Sequence, residues 1–180
     1  MAVTGRASEE GRLQARVDLH GSGNVNVVTG VPVLDHLLAL LAEHGGFDLT
    51  LEVAPEDPDA EVAAAGLALG QALAEALHAD GCRRHGSAVV PADEALAHVA
   101  LEASGRPLVV SNVDLSDVGV GGLGTDLVAR FLNEFAQGAG LTLHVRLIEG
   151  KDTHHVLDAI FKALGVALAQ SCGPRRRDES

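Results

Sequence analysis

LTLEV at residues 49–53 returns as LTLHV at 141–145, and ALGQALA at 68–74 returns as ALGVALA at 163–169. The first pair is offset by 92 (141 less 49) and the second by 95 (163 less 68), so three residues of turn separate the two registers. In each copy an alternating, strand-like segment precedes an Ala/Leu segment of helical periodicity. LHGSG at 19–23 parallels LEASG at 101–105 in the same order. The pattern predicts an α+β fold of two tandem repeats, residues 1–90 and 91–180, each a strand-strand-helix-strand-helix unit.

Working outward, residues 1–9 are polar and expected to be loose. Leu13, Ala15, Val17 and Leu19, then Val25 and Val27, alternate on either side of HGSGN, which predicts a hairpin about a Gly-rich turn. A helix is expected from Val33 to Glu43, with Leu34, Leu37, Leu38 and Leu41 as its core stripe and Gly45-Gly46 as its stop. His36 lies off that stripe. His44 falls at the C-terminal end, where the helix dipole favours it as a capping group. LTLEV is a strand, APEDPDAE (54–61) an acidic turn, and 62–78 a second helix. In the other half, HGSAVVPADEALAHVALEASGRPLVV reads as strands joined by turns and SNVDLSDVGVGGLG as a loop. TDLVARFLNEFAQG reads as a helix capped by Thr125, and the tail SCGPRRRDES as charged and mobile.

The chain carries 13 Lys and Arg against 25 Asp and Glu, a formal charge of −12 with His neutral. Such a surface argues against nucleic acid, since phosphate neutralisation needs a basic face, and the absence of Trp and Tyr removes most stacking platforms. Two cysteines, Cys82 and Cys172, are too few for a disulfide framework and read as free thiols in a reducing cytoplasm. No apolar run approaches membrane-spanning length and no h-region of a signal peptide opens the chain, so a cytoplasmic protein is expected.

The chemistry concentrates in KDTHHVLDAIFKALG, residues 151–165. Thr153 is placed to cap a helix whose apolar face comprises Val156, Leu157, Ile160, Phe161, Leu164 and Leu168. His154 and Asp158 share a face at a spacing of four, and His155 and Asp158 approach at a spacing of three. The two histidines diverge by about 100° around the helix. One ion takes either of them readily and both only with difficulty; the alternative reading is a solvated polar face. At an offset of 95, His154 falls opposite Asp59, His155 opposite Ala60 and Asp158 opposite Ala63, while His144 lies opposite Glu52 at 92. One copy therefore offers imidazoles and a carboxylate where the other offers one carboxylate and two methyls.

GVPVLDHLLALLAEHGGFDL, RHGSAVVPADEALAHVALEASGRP, GLTLHVRL and GKDTHHVLDAIFKALG, in that order, resemble imidazoleglycerol-phosphate dehydratase of histidine biosynthesis over roughly residues 5–173. The resemblance implies two four-stranded sheets backed by helices, a homo-oligomer with sites between subunits, and manganese as cofactor. It further implies a hydro-lyase that dehydrates a small phosphorylated imidazole substrate. Removing a weakly acidic carbon-bound proton from the imidazole's side chain is demanding, and ions that bind the ring as imidazolate stabilise the charge. By position, the resemblance assigns His36, His144, His154, His155 and Asp158 to metal, with Asp59 as a possible further ligand. Asp158 stands where the family has glutamate. Glu10 and Asp158 are the expected proton-handling carboxylates, His44 a substrate contact, and Arg84, Arg106 and Lys162 the phosphate-binding cations.

Two departures qualify that assignment. The family's first Asp-His-His-x-x-Glu run is here PDAEVA, so one divalent ion is expected rather than two. Its C-terminal Ser/Thr-Lys-Gly segment is replaced by GPRRRDES, where Arg175 to Arg177 are candidate substitutes. Two readings therefore stand: a metal-dependent lyase of the family type, or a paralogue that keeps the oligomeric shell and has lost the dehydratase reaction for a ligand-binding, regulatory or repurposed role.

Overall fold

A computed structural model of the chain describes residues 2–3, 13–113 and 125–176. The chain runs β1 (Ala2–Val3), β2 (Leu13–Asp18), β3 (Val25–Val28), α1 (Pro32–Gly45), β4 (Asp48–Val53), α2 (Pro58–Leu77). It then repeats as β5 (His85–Ala92), β6 (Ala95–Glu102), β7 (Leu108–Ser111), α3 (Thr125–Ala139), β8 (Thr142–Glu149), α4 (Thr153–Cys172). The sheets are ordered β1-β2-β4-β3 and β5-β6-β8-β7, the same topology twice. The α+β duplication is as expected, with one strand more per unit than the sequence pattern alone predicts. Since β5 belongs to the second sheet, the division falls between Leu77 and His85 rather than at residue 90.

Alternation sorts the residues of each sheet onto two faces. Ala15, Val17, Leu49 and Leu51 of the first, and Ala97, Val99, Leu101, Leu143 and Val145 of the second, are buried beneath the helices. Each sheet thus has one face covered by helices, and the two halves meet through α1 against α4 and α2 against α3. Val28, Val89, Leu108, Val110 and Ile148 remain exposed.

The expected hairpin between β2 and β3 does not form. β4 lies between them, antiparallel to β2 and parallel to β3, so β3-α1-β4 is a crossover unit. Alternation identifies strands but is silent on partners, and here the helix returns the chain into the gap. Ala2 and Val3, expected to be loose, pair with Asp18 and Val17.

The helices keep their expected stripes: Leu34, Leu37, Leu38 and Leu41 of α1 and Val156, Leu157, Ile160, Phe161, Leu164 and Leu168 of α4 are all buried. Gly46, in the left-handed region at φ 70°, ends α1 as expected. α2 begins earlier than expected, because Asp57 caps it through Ala60 N and Pro58 occupies the first turn. Thr153 is not the cap of α4; Asp152 is, accepting from His154 N and His155 N. The expected Thr125 cap and most of the 111–124 loop lie outside the described side chains and residues. At 20 residues α2 is long and apolar enough by length and composition to cross a membrane, contrary to the sequence expectation, but 61% of that window is buried inside the protein, as in a core helix.

The two helix pairs correspond in their caps, ends and crossings. α2 and α4 are both 20 residues long, and their caps Asp57 and Asp152 keep the offset of 95. α1 and α3 end alike, Phe47 N bonding to Ala42 O and Leu141 N to Ala136 O, which fixes an offset of 94 (141 less 47). At the crossings, a Cβ on Gly165 would collide with Leu41 O, and one on Gly70 with Phe135 O. Those are equivalent positions. Glycine is required at both because backbone meets backbone there.

Candidate metal and substrate site

The capped first turn of α4 is tied to the tip of the β5–β6 hairpin. Ala92 and Ala95 are paired, which leaves Asp93 and Glu94 as a two-residue turn with Asp93 at φ 50°. Glu94 Oε1 accepts from Asp152 N at 3.0 Å and Lys151 N at 3.4 Å, while Glu94 Oε2 takes His155 Nδ1 at 2.6 Å. On the other side of the ring, His155 Nε2 stands 3.3 Å from Asp93 Oδ2. The Asp152 N–H, followed by His155, holds the Glu94 carboxyl down at about 2. Glu94 in turn raises the His155 imidazole, against a smaller opposing effect of burial.

One turn further, α4 faces α1. Asp158 Oδ1 lies 3.1 Å from His36 Nε2, a pair drawn from residues 122 positions apart. His154 is exposed on the same helix, and His144 is exposed on β8 between Ala100 and Val110. Among the described residues no group of three or more His, Cys, Asp or Glu side chains is arranged to hold a metal ion. One chain therefore brings His36 to Asp158 and sets His155 between two carboxylates, but does not gather His144, His154 and Asp59 with them.

The donor chemistry nevertheless fits a divalent cation. Imidazole and carboxylate are the ligands Mn²⁺ accepts. A histidine whose Nδ1 hydrogen goes to a carboxylate, as His155 gives its own to Glu94, presents Nε2 as the ligand. Two partnered donors are too few for a closed shell, so further ligands have to come from outside the chain's own cluster.

The equivalent face of the first repeat does not fit. Ala60 and Ala63 have no donor atoms, and Asp59 Oδ2 lies 3.8 Å from Arg130 Nη1. Arg130 Nε also approaches Glu134 Oε1 at 3.5 Å. By the offset of 94 set at the ends of α1 and α3, Arg130 occupies on α3 the position of His36 on α1. Where the second repeat presents an imidazole to a carboxylate, the first presents a guanidinium that is itself a cation.

The candidate phosphate-binding cations lie apart. Arg84, at φ 66°, donates from Nη2 to His78 O at 3.1 Å and faces Asp80 only at 4.0 Å. Arg106 sits in the turn after β6, its N–H on Ser104 Oγ at 3.0 Å, and Lys162 is half-buried on α4. His44 bonds through Nδ1 to Leu40 O at 3.0 Å within its own helix. Glu10 lies outside the described residues. The tail, expected to be mobile, is held as far as Arg175, whose N–H reaches Gly81 O at 2.9 Å. Sequence reasoning missed Asp93, Glu94, Asp152 and Arg130. The first two stood in plain sight as an acidic dipeptide between alternating strands, but only the strand register brings them to α4.

A family model described as imidazoleglycerol-phosphate dehydratase matches residues 29–168. An imidazoleglycerol-phosphate dehydratase of Syntrophobacter fumaroxidans is 46% identical over 170 residues, covering 92% of this chain and 86% of that protein. One of Acetivibrio thermocellus is 42% identical over 167 residues, covering 91% and 86%. The crystal structure of the Staphylococcus aureus enzyme of that name superposes with a TM-score of 0.84 at 34% identity, covering 93% of this chain and 97% of that one.

Proposed function

The chain belongs to the imidazoleglycerol-phosphate dehydratase family, and from that membership we propose that it is a hydro-lyase dehydrating imidazoleglycerol phosphate, the histidine-biosynthesis reaction. The observation that carries this reading is the helix face of α4, where His36 meets Asp158 at 3.1 Å and Glu94 orients His155 at 2.6 Å. A divalent ion, best Mn²⁺, would be held by some of His36, His154, His155 and Asp158, with His144 and the remaining donors coming from a neighbouring copy in a homo-oligomer. When bound, that ion supplies Lewis-acid stabilisation of the substrate's imidazole as its ring gains charge.

The remaining work falls to side chains. A carboxylate, Glu10 or Asp158, removes the proton from the second carbon out from the imidazole, and the hydroxyl on the ring-attached carbon leaves as water once protonated. The resulting enol becomes the ketone. Arg84, Arg106 and Lys162 hold the phosphate, where a guanidinium binds two oxygens at once. His44 lies near the substrate. The exposed Val28 on β3, Val89 on β5, Leu108 and Val110 on β7, and Ile148 on β8 favour burial against other copies of the chain.

A second reading, that the chain keeps the shell without the dehydratase reaction, is favoured by the Asp59–Arg130 pair in place of a first metal motif. Turnover and metal content measured together separate the two. Purified protein is expected to hold about one divalent ion per chain, lost in His154→Ala, and to release product from imidazoleglycerol phosphate after Mn²⁺ reloading. Bound metal without turnover would establish the second reading. Two tightly held ions per chain would defeat the claim that the first repeat no longer binds metal.

A further inference from the structure

Away from that site, the segments carrying the chain's two cysteines pair with each other. Cys82 lies in the segment joining α2 to β5, and Cys172 ends α4. The two segments run antiparallel: Cys82 is bridged to Pro174, Arg83 N bonds to Gly173 O at 2.8 Å, and Arg175 N to Gly81 O at 2.9 Å. Arg84 N extends the pairing to Ser171 O at 3.0 Å. Cys172, the last residue of α4, lies between Ser171 and Gly173, whose carbonyls accept from Arg84 N and Arg83 N, and so sits two residues from the position opposite Cys82. A diagonal placement of this kind lies at or just beyond the roughly 7 Å between Cα atoms that a disulfide spans. A small shift of the exposed Pro174–Arg175 segment closes the difference.

Both thiols are free and half-buried. The Cys82 Sγ–H points to Leu77 O at 3.3 Å, anchoring it at the end of α2. Burial, and next the nearby Cys82, push the Cys172 thiol up to about 12. Cys172 is therefore a poor first nucleophile.

We propose that Cys82 and Cys172 form a reversible intramolecular disulfide when the protein meets a peroxide, making this pairing an oxidation site that fastens the end of α4 to the segment carrying Arg83 and Arg84. Cys82 reacts first, its sulfur attacking one peroxide oxygen and expelling the other as water to give a sulfenic acid. The Cys172 sulfur then attacks the Cys82 sulfur and expels a second water. Two thiols lose two protons and two electrons, and hydrogen peroxide becomes two waters. The second step is slow at neutral pH and accelerates in alkali, because it needs the Cys172 thiolate.

The test uses the full-length protein with hydrogen peroxide, followed by intact mass, peptide mapping without reduction, and a melting curve. The expected product is a monomeric chain lighter by two hydrogens, with one peptide pair joining Cys82 to Cys172, a higher melting temperature, and full reversal by dithiothreitol. Cys172→Ala should instead stop at the sulfenic acid, trapped by dimedone. That variant is first checked for an unchanged melting temperature under reduction, and Cys82→Ser serves if it fails. The proposal is overturned if both cysteines remain separately alkylatable after treatment, or if the only disulfide formed links two chains. Neither outcome depends on the dehydratase reading, because no step is read through turnover.

Discussion

The two repeats share a backbone and differ in what they display on it. Gly70 and Gly165 occupy equivalent crossings, each closed against the backbone of the partner helix. Asp57 and Asp152 cap equivalent helices. Yet the first turns that follow carry Asp59, Ala60 and Ala63 in one copy and His154, His155 and Asp158 in the other. Packing constraints act on both copies because both must fold. The copies diverge instead in the donor atoms that this first turn offers. A guanidinium at Arg130 completes the difference by filling the first-repeat position with a charge of the chain's own.

The comparison is broken most severely at the crossings. Gly165→Ala and Gly70→Ala each put a methyl against a carbonyl of the facing helix, so the helix-propensity gain of about 1 kcal/mol is outweighed by strain of about 1–3 kcal/mol or more. Both variants should melt several degrees lower, and by similar amounts. A neutral result at one position alone would mean that the two crossings are not equivalent.

Next in size is a pH effect confined to the second repeat. Glu94 lies well below its ordinary value of 4.5, so its contribution is present above that value and fades as the pH falls toward about 2. His155 lies above its ordinary 6.5, so its contribution is full below 6.5 and is lost as the pH rises through the raised value. The metal-free protein should gain from this pair most between those two ordinary values. In Glu94→Gln the His155 titration, followed by NMR, should move down, and the stability difference from wild type should shrink at both acid and alkaline extremes. An unmoved His155 titration would show that Glu94 is not its partner in solution.

The smallest effect belongs to Arg130→Ala. Its partners are half-exposed at 3.8 and 3.5 Å, and such surface pairs are worth about 0–1 kcal/mol. Thermal stability should barely change, whereas His36→Ala should alter metal content. Equal consequences for metal content from both would erase the distinction between the faces.

The duplication, the core stripes of α1 and α4 and the HHxxD helix were legible in the sequence because periodicity and internal matching survive divergence. The β2–β3 hairpin was misread because alternation names strands and not their neighbours, and β4 enters between them from 20 residues downstream of Val28 (48 less 28). The sequence offers Thr153 as the cap where the preceding Asp152 serves, since either hydroxyl or carboxylate can accept from the first turn. Asp93 and Glu94 were read only as part of a turn. What they do depends on the β5–β6 register, a long-range fact that no local pattern encodes.

That two-residue turn has a consequence of its own. From the His85–Glu102 pair to the Ala92–Ala95 pair the two strands are matched residue for residue, so the reach of Glu94 toward α4 is set by a rigid ruler and not by a pliable loop. The orientation of His155 is thus inherited from the sheet. Substitutions along α4 can alter which groups are offered to a cation without loosening the grip on that one ring, whereas a single inserted residue at the tip would release it while leaving α4 untouched.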